Sequence, residues 1–305
     1  MLAALLTTLL FATSSICGYR TAKRLGGVAA NFWRITLATL FLTIWAFTFG
    51  RRFAGAPGWF VLSGFFGIGL GDSAYFQALP RLGTRRTVLL VQCLTAPFAA
   101  GIEWLWLGTG LNPGQMVCVA VILAGVAIAL APDHHARISR RDWNIGIAAG
   151  VLGAFAGAVG AVVIRKGYAA IAQAGLSVDA GTTGYQRVLG GIAVPAVMLL
   201  VLKWRSARRP NQLAGEAALQ FPHEKPGRIW PWVLANALAG QTLGVTCMQW
   251  ALKTTQAGIV AAIIATAPLV LLPMTRLVEG ERIGLRSLLG AGVAVGGVIG
   301  LTFSR

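Results

Sequence analysis

The stretch from Trp59 to Leu79, "WFVLSGFFGIGLGDSAYFQAL", carries a single charged residue, Asp72. The hydrocarbon core of a bilayer is ~30 Å thick and takes about 20 helical residues to cross. The stretch therefore has the length and composition of a membrane-spanning helix. Its one carboxylate needs a reason to be there.

The rest of the chain repeats the pattern. Apolar types make up 56% of the 305 residues and charged types only 11%, against about 25% charged in an ordinary soluble protein. Ten apolar windows can be drawn, at 2–18, 28–49, 58–79, 86–106, 113–131, 143–164, 183–202, 229–252, 256–275 and 285–304. Lipid offers no partner to a free N–H or C=O, so each window is expected to be helical. A barrel would alternate apolar and polar residues in segments of about 10, and these runs are continuous. The expectation is an all-α integral membrane protein of ten transmembrane helices.

Several classes are excluded on composition. The net charge of +17 is carried mostly by Lys and Arg in the breaks between windows, the pattern of residues flanking lipid headgroups, not of a nucleic-acid surface. Cys17, Cys93, Cys118 and Cys247 all fall inside predicted helices without C-x-x-C spacing, so neither a disulfide framework nor a zinc site is expected. The N-terminal run "MLAALLTTLLFATSSICGYR" is followed, not preceded, by its basic residues Arg20, Lys23 and Arg24. That order reads as a retained anchor.

A weak internal repeat spans the chain. "LTAPF" (94–98) answers to "ATAPL" (265–269), "FQAL" (76–79) to "QWAL" (249–252), "ILAGVAIAL" (122–130) to "AVGGVIGL" (294–301), and "NFWR" ending at Arg34 to "GYQR" ending at Arg187. The first three recur at nearly one spacing and all four in one order. Five helices per copy is an odd number, so the second copy is expected to enter the membrane from the opposite face. Inverted repeats of this kind are characteristic of secondary transporters. The expected boundaries are 1–132 for the first repeat, 133–142 for a linker, and 143–305 for the second repeat, which carries a basic loop at 203–228. Pro97 and Pro268 fall at matching points of the two copies and are candidate helix bends.

The stretches "NFWRITLATLFL", "YFQALPRLGTRRTVLLVQCLTAPF" and "GQMVCVAVILAGVAIAL", with "MQWALKTTQAGIVAAIIATAPLVLLPMTRLVEGERIGLRSLLGAGVAVGGVIGL" in the second half, resemble the EamA-type branch of the drug/metabolite transporter superfamily. The resemblance covers nearly the whole chain and is strongest from Met248 onward. It implies a permease or exporter of small metabolites. The family often places a Glu just after the fourth helix. The second copy keeps it as Glu279 in "LVEGERI", whereas the first copy reads "LGTGLNPGQ" with no acid.

Orientation follows from charge. Eighteen basic residues follow odd-numbered windows and six follow even-numbered ones. Positive loops stay in the cytoplasm, so the charges place both termini outside the inner (plasma) membrane, while the family resemblance favours termini inside.

Against that frame stand the polar residues of the windows. Asp72 lies seven residues before Leu79, about 10 Å in from the odd-loop face at 1.5 Å per residue, and Arg34 enters to a similar depth. A carboxylate at the centre of a bilayer costs about 2.5–3.5 kcal/mol on insertion scales, so Asp72 is expected to face the interior. Two readings stand for it: a ligand for substrate or a coupling cation, with Tyr75 and Gln92 as lining, or an anchor of helix 3 to helix 2 through Arg34 or a hydroxyl. Val245 lies near the matching position of the second copy, so any such site is single. Arg34 and Arg187 are candidate substrate or anchoring residues, and Glu103, near the even-loop face, reads either as a partner of Arg187 or, in preference, as a residue of the headgroup boundary. Gln241, Gln249 and Trp250 are the second copy's polar and aromatic candidates.

The histidines His134, His135 and His223 lie in breaks between windows and no acidic pair has metal-ligand spacing, so no catalytic residue, metal or cofactor is expected. The glycines of "GIAAGVLGAFAGAVGAVV" recur at three- and four-residue spacings, which serves helix packing within one chain or between two. The leading expectation is a secondary transporter of a small organic metabolite, monomeric or homodimeric, with lipids as its other partners and no nucleic acid. The alternatives are a membrane-embedded lipid-modifying enzyme and a non-transporting sensor or scaffold.

Overall fold

Among the described residues each apolar window is mostly helical, and helix is the only regular structure. The computed structural model describes residues 2–107, 112–130, 138–208, 229–255, 257–279 and 284–303. In chain order the rods are α1 (Leu2–Leu25), α2 (Gly27–Thr48), α3 (57–82), α4 (Thr84–Leu107), α5 (Pro113–Leu130), α6 (Arg140–Gln173), α7 (Ala180–Arg208), α8 (230–254), α9 (257–279) and α10 (Leu285–Phe303). Linker residues 133–137 with His134 and His135, loop residues 209–228 with His223, and residues 108–111 of "LGTGLNPGQ" lie outside the described set.

Local chemistry sets the ends. Pro57 opens α3 within its first turn, where its missing N–H removes no helical bond. Ser139 caps α6, accepting from the Asp142 N–H at 3.0 Å while its hydroxyl donates to Asp142 Oδ2 at 2.6 Å, a reciprocal cap that satisfies a free first-turn donor. Between α1 and α2, and again between α3 and α4, the chain turns on one glycine. Gly26 and Gly83 hold φ of 80° and 81°, values a side chain would oppose.

Among the described residues five helices are long and apolar enough to cross a membrane by length and composition: Leu2–Leu25, Gly27–Thr48, Thr84–Trp106, Arg140–Gln173 and Ala180–Arg205. The rods α3, α8 and α9 are divided. α3 consists of Pro57–Gly64, a π-helical segment Phe65–Asp72, and Ser73–Leu82; α8 consists of Trp230–Asn236, a π-helical segment Ala237–Gly244, and Val245–Thr254. π-helical turns are rare and gather at functional sites. The two segments are of equal length, and 65 to 237 and 72 to 244 are both steps of 172 residues, within the spacing of the sequence repeat. α9 breaks at Ala265–Thr266 between Ala257–Ile264 and Ala267–Glu279, so Pro268 is the second residue of a new helical segment. Pro97, in contrast, sits inside one uninterrupted helix, α4. The two prolines therefore do not act alike, because only the second follows a break.

The same spacing governs contacts between the halves. At Gly125 on α5 an added Cβ would lie 2.3 Å from Ala294 N on α10, and at Gly297 on α10 one would lie 3.0 Å from Ile122 N on α5. Positions 122 and 294, like 125 and 297, are 172 apart, so each contact mirrors the other as in an isologous interface. Cys93 Sγ meets Ala265 O at 3.9 Å, again across 172 residues.

Glycine brings the rods together elsewhere. Gly64 packs against the backbone of Arg187 and Gly190 against that of Val61, so α3 and α7 touch main chain to main chain. On α6 an added Cβ would meet Leu82 at Gly146, Leu90 at Gly150 and Gly67 at Gly160. The glycine stripe of α6 thus serves packing within the chain. The outward faces stay apolar: Leu9, Leu40, Ile44, Leu105, Leu152 and Leu200 are each at least half exposed, a surface suited to lipid and not to water.

Candidate functional site

The rods line a cavity of about 140 Å³ between them. Both halves of the chain line it. α1 contributes Phe11, Ser14 and Ser15; α2 contributes Arg34; and the π-helical turn of α3 contributes Gly67, Gly71 and Asp72, with Tyr75 beyond it. Gln92 and Thr95 come from α4, Gly153 and Gly157 from α6, Arg187 from α7, and Gln241, Val245, Met248 and Leu252 from α8. Gly157 has nothing within 4 Å of where a Cβ would stand, so the glycine stripe of α6 opens into the cavity at that point.

Asp72 sits at the centre of a charged network. Arg34 Nη2 lies 2.8 Å from its Oδ2, and Gln241 Nε2, from the other half of the chain, donates to the same oxygen. Arg34 also donates to Asn31 Oδ1 at 2.8 Å, Asn31 in turn reaches Ser73 Oγ at 3.2 Å, and the guanidinium lies 4.6 Å from the centre of the Phe76 ring. The Arg34 side chain is 6% exposed and that of Asp72 26%, so the cation is sealed in and the acid still touches the cavity. Charge-assisted hydrogen bonds of this kind are the strong ones in a low-dielectric interior. The two readings of Asp72 are therefore not exclusive: it anchors α2, α3 and α8 and faces the cavity as well.

A second network flanks it. Tyr75 Oη donates to Ser15 Oγ at 2.8 Å, and Ser14 Oγ donates to Asn236 Oδ1 at 2.6 Å. Both tie α1 to the π-containing rods. Ser14, Ser15, Asn31 and Asn236 were not among the sequence candidates. The signal available was the hydroxyl-rich run "TTLLFATSS" in α1, which is also what ordinary back-bonding to carbonyls produces; Thr7 and Thr8 do bond back to Ala3 and Ala4.

Six sequence candidates meet at the cavity: Asp72, Tyr75, Gln92, Arg34, Arg187 and Gln241. Gln249 and Trp250 do not. The cavity face of α8 runs through positions 241, 245, 248 and 252, which are four, three and four residues apart, and the next two positions after 248 turn away from it. Trp250 is 55% exposed, and Gln249 is buried away from the cavity. The match for Asp72 in the second half also moves by one: the π-helical turns align it with Gly244, not Val245.

Glu103 is not a partner of Arg187. It is buried, pairs with Arg165 Nε at 3.1 Å, and accepts the backbone N–H of Ala257 at 3.2 Å. The reason is length. α6 continues to Gln173, well past the end of its apolar window, which carries Arg165 along the bundle to the level of Glu103. At the same end Asp179 caps α7, accepting the Thr182 N–H at 2.8 Å, the Thr182 hydroxyl at 2.6 Å and Trp45 Nε1 at 3.1 Å. Partial burial would raise the Asp179 carboxyl, but these hydrogen bonds outweigh it and hold the group below its usual range.

A family model described as the EamA-like transporter family matches residues 1–131 and 144–303. Twenty-nine chains of solved structures match. One of them, known as a crystal structure of a protein without further description, has a TM-score of 0.68 at 15% identity, covering 99% of this chain and 96% of the other. At that identity the likeness carries the fold alone. No curated protein matches.

Proposed function

The chain belongs to the EamA-like transporter family, and from that premise we propose that it is a secondary transporter moving a small organic metabolite by alternating access between two five-helix halves. A family of transporters implies a small-molecule substrate and surrounding lipid. The finer reading is that ten helices span the membrane, that residues 1–132 and 143–305 form oppositely oriented repeats joined at 133–142, and that the cavity is their shared substrate site. One observation carries it: Asp72 of the first half is held by Gln241 of the second inside a cavity lined from both. The matched π-helical segments and the mirrored contacts of Gly125 and Gly297 support a two-fold relation between the halves, which is what exchange between two similar conformations requires.

Near Glu103 the two halves are tied together at one end of the bundle. The Glu103–Arg165 pair, Trp45 on Asp179, and Gln186 on the carbonyls of Arg52 and Ala54 all join one half to the other there. Spin-label distances in lipid vesicles test the proposal. Pairs at the exposed positions Phe53 and Leu176, and at Lys23 and Arg141, are expected to change in opposite directions, one opening as the other closes. Two fixed distances would overturn alternating access. The loop charges place Lys23 and Arg141 on the cytoplasmic side and both termini outside, and a reporter fused after Arg305 is expected to be inactive in the cytoplasm.

A further inference from the structure

Arg34 and Arg187 end the matching motifs "NFWR" and "GYQR", yet among the described residues only Arg34 makes an ion pair with an acid. Arg34 is paired with Asp72. The position that would give Arg187 the same partner, 172 residues after Asp72, is Gly244. Arg187 is 4% exposed, lines the cavity, and its Nε and Nη1 have no hydrogen-bond partner among the described residues. Its guanidinium lies against Gly67, where no side chain could stand between it and the π-helical turn. Among the described residues the charged side chains lining the cavity are Asp72, Arg34 and Arg187, two cations to one anion, and the anion already takes Arg34 and Gln241 on one oxygen. A buried guanidinium keeps its charge and is stable there only when that charge is met.

We infer that Arg187 binds the negatively charged group of the transported solute, and that the solute is a small organic acid with one carboxylate and a compact apolar body. This rests on the transport reading. The single charge follows from the cavity's excess of one cation. The apolar body follows from the rest of the wall, where Phe11, Val91, Met248, Val260 and Ile264 stand.

Three probes of nearly one shape separate the possibilities: isocaproate, leucine and isoamylamine, an acid, a zwitterion and an amine. Each is titrated calorimetrically into the purified full chain in detergent, as wild type, Arg187→Gln and Arg187→Lys. Isocaproate is expected to bind most tightly to the wild type, about tenfold or more weakly to Arg187→Gln, and at an intermediate level to Arg187→Lys. Tightest binding of leucine or isoamylamine, unchanged binding of isocaproate by Arg187→Gln, or binding of none of the three would overturn the inference. If Arg187→Gln does not fold, the ranking in the wild type and the loss in Arg187→Lys decide it. Flux of the same probes in proteoliposomes keeps the two readings apart. Carriage of isoamylamine alone sinks the anion assignment and leaves transport standing, whereas fixed label distances sink transport whatever binds.

Discussion

Asp72 and Gln241, 169 residues apart in the chain, meet in the cavity through a hydrogen bond from the Gln241 amide to a carboxylate oxygen that Arg34 also holds, at 2.8 Å. Each partner stands on or beside a π-helical turn, except Arg34, which comes from α2. One carboxylate thus couples the two halves at the point where each rod departs from regular helix. A rocking motion of one half against the other has to break or rotate this contact.

Replacing Asp72 by Asn tests that coupling. The amide keeps the shape and can still accept from Gln241, but the Arg34 charge loses its counter-charge. Arg34 retains Asn31 and the Phe76 ring, so the protein is expected to express normally with a stability loss of about 1–3 kcal/mol, the range for a buried donor left under-satisfied. Transport is expected to be abolished. Full flux in this variant would show the carboxylate to be dispensable.

Glu103→Gln addresses the opposite end of the cavity. Glu103 bridges α4 to Arg165 on α6 and to the first N–H of α9, where a negative charge also favours the helix N-terminus. The amide loses the ion pair and that dipole interaction. The Phe53–Leu176 label distance is expected to broaden toward longer values, because the closure of this end is weakened. An unchanged distribution would mean that the remaining contacts of Gln186 and Asp179 suffice to close it.

Charge was the legible part of the site. Asp72, Arg34 and Arg187 stood out because ionisable residues within an apolar window must face the interior, and Gln92 and Gln241 stood out for the same reason in weaker form. The π-helical turns were not legible: "FFGIGLGD" and "ALAGQTLG" are rich in glycine, and glycine serves close packing as readily as an irregular turn. Gln249 and Trp250 were misplaced because their facing depends on rotation about α8, which a widened turn alters for every residue after it. Arg165 read as a loop residue only because apolarity ends before the helix does.

Asp179 makes stability depend on pH from outside the spanning segments. Its carboxyl is held below the usual range in the folded chain, so its stabilisation is fully present above the unfolded-state value and is lost as pH falls through the folded one. Thermal unfolding of the wild type is therefore expected to lose stability on acidification more steeply than that of Asp179→Ala. Removing the cap is expected to cost about 1 kcal/mol near neutral pH. Parallel acid limbs for the two proteins would count against this role.

Two glycines on α6, one turn apart, are expected to respond in opposite directions to alanine. At Gly160 an added Cβ would lie 3.0 Å from Gly67 Cα and N and 3.1 Å from Ser63 O. Those are backbone atoms of α3 that can yield only by moving the π-helical turn, so Gly160→Ala is expected to destabilise by about 1–3 kcal/mol, the range for overpacking. At Gly157 nothing stands within 4 Å, and alanine there gains helix propensity of up to about 1 kcal/mol while its methyl enters the cavity. Gly157→Ala is thus expected to melt at or above the wild-type temperature, and Gly157→Leu to stay folded but fill enough of the cavity to block flux. If Gly157→Leu transported normally, the cavity would not lie on the solute's path, whereas a lowered melting temperature for Gly157→Ala would mean that the wall at this point is closed.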